Sequence, residues 1–254
     1  MQSQFIVTTL LVVIFFILEG VFPFFKERRA RFRHAFPNLV LGFVSSSVVG
    51  VFFRLFCDFI FPVFRSNFGM LHRIFMPAWL NIIIVFLILD GWIYIWHRLN
   101  HVNQFLWRFH KVHHADPSMD STTAVLFHPI EMLISLIPRI LIITFIGIPF
   151  KFLMIYELVF VYAVVFHHSN INIPSSIDRF LRIFVVTPYM HKLHHSIDYK
   201  EGNSNFSTIF SFWDRIARTF VMKRDIESLQ LGIKGVEENM QLSIKRMLMF
   251  PFKK

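Results

Sequence analysis

One cysteine, Cys57, stands among 254 residues, which excludes an intramolecular disulfide and any thiolate metal cluster built by this chain alone. Charge is scarce too. Charged residues make up 17% of the chain against 55% hydrophobic residues and 34 phenylalanines, a balance that excludes an ordinary soluble domain. Low-complexity tracts and periodic repeats are absent. The first apolar run, about residues 5–25, lacks a basic leading segment and a small-residue cleavage site, so it reads as a retained span and not as a signal peptide.

What the sequence does have is long apolar runs. A helix of about 20 residues spans the hydrocarbon core, and five stretches approach that length: about 5–25, 36–56, 78–96, 125–150 and 152–173. The expected fold is all-α, an integral-membrane helical bundle of four to five spans with a histidine-rich helical cap on the cytoplasmic side. The last two runs are separated by Gly147 and Pro149, which mark the turn of a hairpin. A formal net charge of +10 raises the possibility of nucleic acid, but the basic residues flank apolar runs instead of forming an aromatic-interleaved face, so no nucleic-acid partner is expected.

Charge also orients the chain. Lys26, Arg28, Arg29, Arg31 and Arg33 crowd one loop between the first two runs, and 13 of the 26 Lys/Arg fall in residues 174–254. By the bias of basic residues toward the inner side, 26–34, 97–123 and 174–254 are cytoplasmic. The domain reading is 1–77 for the N-terminal spans and basic loop, 78–220 for a catalytic region and 221–254 for a cytoplasmic tail. The chain's shortness and lack of targeting signals favour a bacterial inner membrane over the endoplasmic reticulum. Near the last apolar run, Ser175 with Asp178 three residues on predicts a helix start, and Ile177, Phe180, Leu181, Phe184 and Val185 recur at amphipathic spacing suited to a membrane surface. Thr187-Pro188 predicts the cap and first turn of a further helix.

Ten of the 13 histidines are grouped: His97 and His101; His110, His113 and His114; His167 and His168; His191, His194 and His195. Residues four apart on a helix differ by about 40° in direction, so His97/His101, His110/His114 and His191/His195 each share a face. His113 and His194 point elsewhere, which lets each HxxHH triplet serve two metals. Packing gives no reason for eight imidazoles in one HxxxH and two HxxHH patterns. A lone histidine such as His34 or His72 reads instead as interfacial or hydrogen-bonded. Imidazole suits iron, zinc, copper and nickel alike, whereas a single tetrahedral zinc needs only four ligands, so this number of ligands argues for two ions. A metal transporter is the rival reading. Its ligands belong near the midplane of broken spans, while these lie at span ends and in loops on one side.

In order, the motifs are Asp90 with Trp92, Tyr94 and Trp96 before His97-x-x-x-His101, then HKVHH at 110–114, His128-Pro129-Ile130-Glu131, His168-Ser169-Asn170, Thr187-Pro188 with HKLHH at 191–195, and Trp213-Asp214-Arg215. Over about residues 80–220 this set resembles the fatty acid hydroxylase and sterol desaturase superfamily of integral-membrane di-iron oxygenases. The resemblance implies two iron ions held by His97, His101, His110, His113, His114, His168, His191, His194 and His195. His128, His167 and Glu131 are further candidates as ligands or supports, and Asp90, Asn170 and Asp214 are candidate catalytic residues. Asp90 is also open to an interhelical hydrogen-bonding role, since a carboxylate inside a span is expensive.

The resemblance further implies O2 as co-substrate and a lipid or sterol substrate from the bilayer. No haem, flavin or iron-sulfur motif is visible, so the electrons would come from a separate ferredoxin- or cytochrome-type protein. Arg108, Lys111 and Lys192 read as inner-side anchors or, less simply, as a docking face for that carrier. Val164 stands where relatives often carry glutamine or histidine, and Leu126 where many carry arginine. Asn205-Phe206-Ser207 replaces an Asn-Tyr-Gly stretch.

Overall fold

The computed structural model describes residues 2–26, 31–65, 69–223, 229–236 and 243–253. Arg28 and Arg29 of the basic loop and Asp225 in the tail lie outside them. The chain is helical: α1 Gln2–Val21, α2 Arg31–Arg65, α3 Ala78–Val102, α4 Gln104–His114, α5 Pro129–Ile146, α6 Phe150–His168, α7 Ser175–Leu181, α8 Pro188–His194, α9 Tyr199–Gly202, α10 Phe212–Ile216 and α11 Ile244–Met249. Among the described residues β-structure is confined to isolated bridges.

Four helices are long and apolar enough to cross a membrane, within Arg31–Leu55, Ala78–Val102, Pro129–Ile146 and Phe150–His168, and a fifth apolar helix, Phe5–Val21, is shorter. Their lipid-facing residues are inside out relative to a soluble protein. Leu141 and Phe145 on α5 are each 63% exposed, while the cap buries histidines, aspartates and Lys192. The protein therefore has a multi-pass membrane architecture.

The expected element ends move for identifiable reasons. α2 begins at Arg31, five residues early, because His34 and Asn38 bury polar groups against the 116–122 segment and so belong to the cap. It also runs to Arg65, past the end expected at about residue 56. α5 starts at Pro129 and not at 125, since Ser121–Val125 forms a 3-10 turn capped by Asp120, and Pro129 takes the first helical position. At the hairpin turn Gly147 adopts φ 73, and a Cβ on the facing Gly69 would lie 2.3 Å from the Gly147 Cα. Only glycines permit that approach. α7 starts at Ser175, but Pro174 holds the cap position and no side-chain cap forms. It ends at Leu181, so Val185 lies outside it. Its apolar Ile177 and Phe180 are exposed while Asp178 is buried against Arg182, which suits a helix on a lipid surface.

α1 packs on α6, α2 on α5, and α3 on α6. The ends of α1, α3 and α6 and the starts of α2 and α5 meet the short helices at one end of the bundle, where the histidines collect.

Candidate metal centre

Each histidine motif is held by ordinary helix chemistry. Asn103 caps α4, accepting from the backbone N–H of Phe105 and Leu106, and Thr187 caps α8, accepting from Met190. The caps fix where HKVHH and HKLHH begin their turns. His97 and His101 come from the last turns of α3, His168 from the last residue of α6.

These elements bring nine imidazoles into two groups. His97, His101, His110, His114 and His194 form one, and His113, His168, His191 and His195 the other, with candidate ligand atoms in each group within 4.8 Å of one another. The two HxxHH triplets are used in opposite proportion. HKVHH gives two rings to the first group and one to the second, while HKLHH gives one and two.

Backbone carbonyls determine which nitrogen faces inward. The Nδ1–H groups of His97, His113, His168 and His194 donate to the carbonyls of Phe206 at 2.8 Å, Leu126 at 3.1 Å, Val164 at 2.7 Å and Ser204 at 2.7 Å. His110 donates to Glu131 Oε1 at 2.7 Å. With the proton on Nδ1, each Nε2 presents a lone pair. The Nε2 atoms converge: His97 and His194 at 2.9 Å, His101 and His114 at 3.1 Å, His113 and His168 at 3.1 Å, His168 and His191 at 3.1 Å. Facing lone pairs repel, and His195, fully buried, has neither ring nitrogen hydrogen-bonded. A cation between the rings resolves both problems, so the donor set fits metal ions. The groups could hold one ion each. Aromatic walls limit ring rotation, with Phe127 stacked on His113 at 4.4 Å between centroids and Trp107 against His101 at 4.9 Å.

Burial first, and neighbouring imidazoles second, hold His113, His114, His191, His194 and His195 well below the ordinary histidine range. They are neutral, the form that binds metal. In the unfolded chain the same rings take up protons below about pH 6.5. The unfolded state then binds more protons than the folded one, and stability is lost as pH falls through that value. The metal-free protein is accordingly expected to unfold at a lower temperature at pH 5 than at pH 7, by calorimetry in detergent. An unchanged midpoint would contradict the buried neutral rings.

The remaining candidates surround the groups. Glu131 supports His110. His167 donates to the Thr208 carbonyl at 3.2 Å and packs on His191, outside both groups. His128 lies apart from the groups. It caps α5, with Nδ1 accepting from Ile130 and Nε2 donating to the Leu248 carbonyl. The three residues expected to be catalytic all grip backbone. Asp90 accepts from Ile209, Phe210 and the Trp213 indole, and Asp214 from Phe206, Ser207 and the Thr219 hydroxyl. Asn170 pairs with both backbone groups of Phe25.

Sequence reading missed several parts. The carbonyls of Ser204, Phe206 and Thr208, on alternate residues, orient His194, His97 and His167, and backbone atoms leave no compositional trace. Of the two roles expected for His34, interfacial or hydrogen-bonded, it takes the second, and its partners, which the sequence did not indicate, are Asp116 at 2.8 Å and Asp120 at 2.9 Å. Lys192 is no surface anchor. It is fully buried, donates to the Ser169 carbonyl at 2.5 Å and lies over the Phe24 ring, whereas Lys111 is partly exposed over Phe250.

Beside the first group an apolar groove of about 610 Å³ runs between α3, α5 and α10, lined by Leu87, Trp92, Ile142, Phe145 and Trp213 among others. The α10 wall lies close on α3 because residue 91 is glycine: a Cβ there would meet the Trp213 ring at 3.0 Å. Tyr94 lines the groove, bonds Thr219 through its hydroxyl and packs on Phe206, which touches His97, His101 and His194.

A family model for fatty acid hydroxylases matches residues 82–219. The chain is 26% identical to the ornithine lipid hydroxylase OlsE of Rhizobium tropici, over 63% of this chain and 47% of that protein. It is 27% identical to cholesterol 25-hydroxylase of Homo sapiens, over 63% and 61%, and 26% identical to methylsterol monooxygenase 2-2 of Arabidopsis thaliana, over 67% and 64%. The matches thus cover about half to two-thirds of the length of these curated relatives. No solved structure matches the chain. More than half of the residues and all nine converging histidines fall inside the family match, and the chain belongs to the fatty acid hydroxylase family.

Proposed function

We propose that the protein is a membrane-bound, non-haem di-iron oxygenase that uses O2 and externally supplied electrons to hydroxylate or desaturate a C–H bond of a lipid or sterol. The observation that carries this reading is the pair of all-imidazole groups, five and four rings, at the end of an apolar bundle. Lipid oxidation is the common chemistry of the relatives, which are named as lipid and sterol hydroxylases and a monooxygenase. Ligands at span ends weigh against transport, which needs a midplane site.

Two iron ions held by the nine histidines would supply dioxygen reduction and hydrogen abstraction. The chain's own residues do the rest. Carbonyls and Glu131 aim the Nε2 lone pairs, and burial of seven of the nine rings, with His97 and His101 half-buried, limits the access of water. The groove takes up hydrocarbon from the bilayer, and Tyr94 and Phe206 separate it from the first group. Asp90 and Asp214 hold the 204–214 segment that forms both the groove wall and the carbonyl row.

Residues 78–220 make up the catalytic region, with the histidines on the cytoplasmic side of a bacterial inner membrane. Basic residues at that end, such as Lys26, Arg31, Arg33 and Arg108, support the orientation. The electron donor is a separate ferredoxin- or cytochrome-type protein, for which Arg108, exposed on α4, is a docking contact; Lys192 is too deeply buried to serve. Mass spectrometry of lipids from cells with and without the gene tests the reading. A lipid that gains one oxygen, or loses two hydrogens, only when the gene is present is the expected result. Identical lipid profiles would remove it.

A further inference from the structure

The second histidine group depends on two chain segments that leave it in different directions. Residues 115–125 follow His113 and His114, and residues 169–172 follow His168. The Nε2 atoms of His113 and His168 stand 3.1 Å apart, so the two segments must be held in register to a few tenths of an ångström. The groups that hold them come from α1 and α2, outside the family match at 82–219.

Glu19, near the end of α1, is 2% exposed. A single one of its oxygens, Oε1, accepts from the backbone N–H of Ser121 at 2.8 Å and of Asn170 at 3.0 Å. That oxygen is a direct bridge between the two segments. Arg31 lies 3.5 Å from Oε2 and offsets its charge. The connection is reinforced on each side. The 22–25 stretch after α1 pairs with 170–172 through Phe24 to Asn170, Asn172 to Phe22 and the Asn170 side chain. On α2, His34 bridges Asp116 and Asp120, and Asn38 reaches Thr122. A buried carboxylate is costly unless donors and an opposite charge offset it, and here the donors are the two backbone N–H groups that Glu19 joins and the charge is that of Arg31.

We propose that Glu19 is a positioning residue of the second metal group, with His34 as its counterpart on α2, so that the N-terminal helices complete the metal centre as well as anchoring it. This rests on the two-metal reading above. Loss of the Glu19 bridge lets the His113 and His168 segments separate and weakens the second ion while leaving the first group, whose rings are supported by Glu131 and the 204–206 carbonyls, intact.

The test is metal content per chain after anaerobic loading of the purified full-length protein with ferrous iron and desalting. The parent retains about two equivalents, Glu19→Gln, which keeps an acceptor oxygen, also about two, and Glu19→Met about one. Glu19→Asp, too short to reach both N–H groups, binds the second equivalent roughly tenfold or more weakly, the scale of an outer-contact loss at a metal site. Glu157→Met, which breaks an interhelical pair with Arg139 far from the histidines, lowers thermal stability but keeps two. Combining Glu19→Met with His195→Ala removes no more metal than either alone, because both empty one group, whereas combining it with His194→Ala empties both. Two equivalents in Glu19→Met, parent-like affinity in Glu19→Asp, or the same one-metal result in Glu157→Met would overturn the proposal alone. A parent that binds one ion or none would overturn the two-metal reading and the proposal with it.

Discussion

Replacing His110 or His194 with alanine is expected to abolish lipid oxidation, with a loss of at least about 100-fold, since removing even an outer contact of a metal ligand costs 10- to 100-fold. The two residues test the first group from opposite sides. His110 arrives from α4 with its proton pinned to Glu131, and its Nε2 lies 3.2 Å from that of His114. His194 arrives from α8, its ring 4.4 Å from His97, 4.6 Å from His101 and 4.7 Å from His114. A ring so placed is common to most of the group, so its removal opens the site to water and drops its ion. Total iron then falls toward one equivalent while the second group keeps its own. His128→Ala is the control. It removes a helix cap worth about 1 kcal/mol and leaves iron content and activity near the parent's. Lipid profiles from cells expressing the three variants decide the matter. Parent-like oxidation by both His110→Ala and His194→Ala would remove the first group from the reaction.

The histidine groups were legible in the sequence because helical spacing is rigid: rings four residues apart share a face wherever the helix goes, and the third ring of each triplet cannot. That rule alone anticipates that His110 and His114 stay together and that His113 leaves them. It says nothing about which face another element covers. Lys111 and Lys192 occupy the same place in the two motifs, yet α8 packs against α6 and Lys192 lies over Phe24, while Lys111 of α4 lies partly exposed over Phe250. The Glu19 and His34 contacts were illegible for a related reason. Their hydrogen bonds join residues 82 to 151 positions apart, and a single histidine or glutamate beside a span has the same local pattern whether it faces lipid headgroups or a carboxylate. Asp90 was legible as anomalous, with hydrogen bonding between helices as one of its readings, but its partners were not: a carboxylate inside a span signals some compensating contact, and here that contact is the backbone of 209–210 and the Trp213 indole.

Asp214→Ala is expected to cost about 3 to 5 kcal/mol of stability and to damage the first group selectively. The carboxylate accepts from the buried N–H groups of Phe206 at 2.8 Å and Ser207 at 3.0 Å, and from the Thr219 hydroxyl at 2.7 Å. Burial pushes its pKa up while these donors oppose the shift. Each buried donor left without a partner costs about 1–3 kcal/mol, and three are released at once, partly offset by relief of the buried carboxylate. The consequence for the metal centre follows from the chain: the Ser204 and Phe206 carbonyls that orient His194 and His97 lie on the segment that Asp214 holds. When that segment loosens, the two rings lose the bond that keeps their protons on Nδ1, and the ring that flips presents N–H instead of a lone pair to the metal. Asp214→Asn replaces one acceptor by an amide that faces a donor, so it recovers only part of the loss. Thermal unfolding and iron content measured on the same preparations separate the two effects. A variant within about 1 kcal/mol of the parent, or one that loses stability while retaining both ions, would show that the carbonyl row does not depend on Asp214.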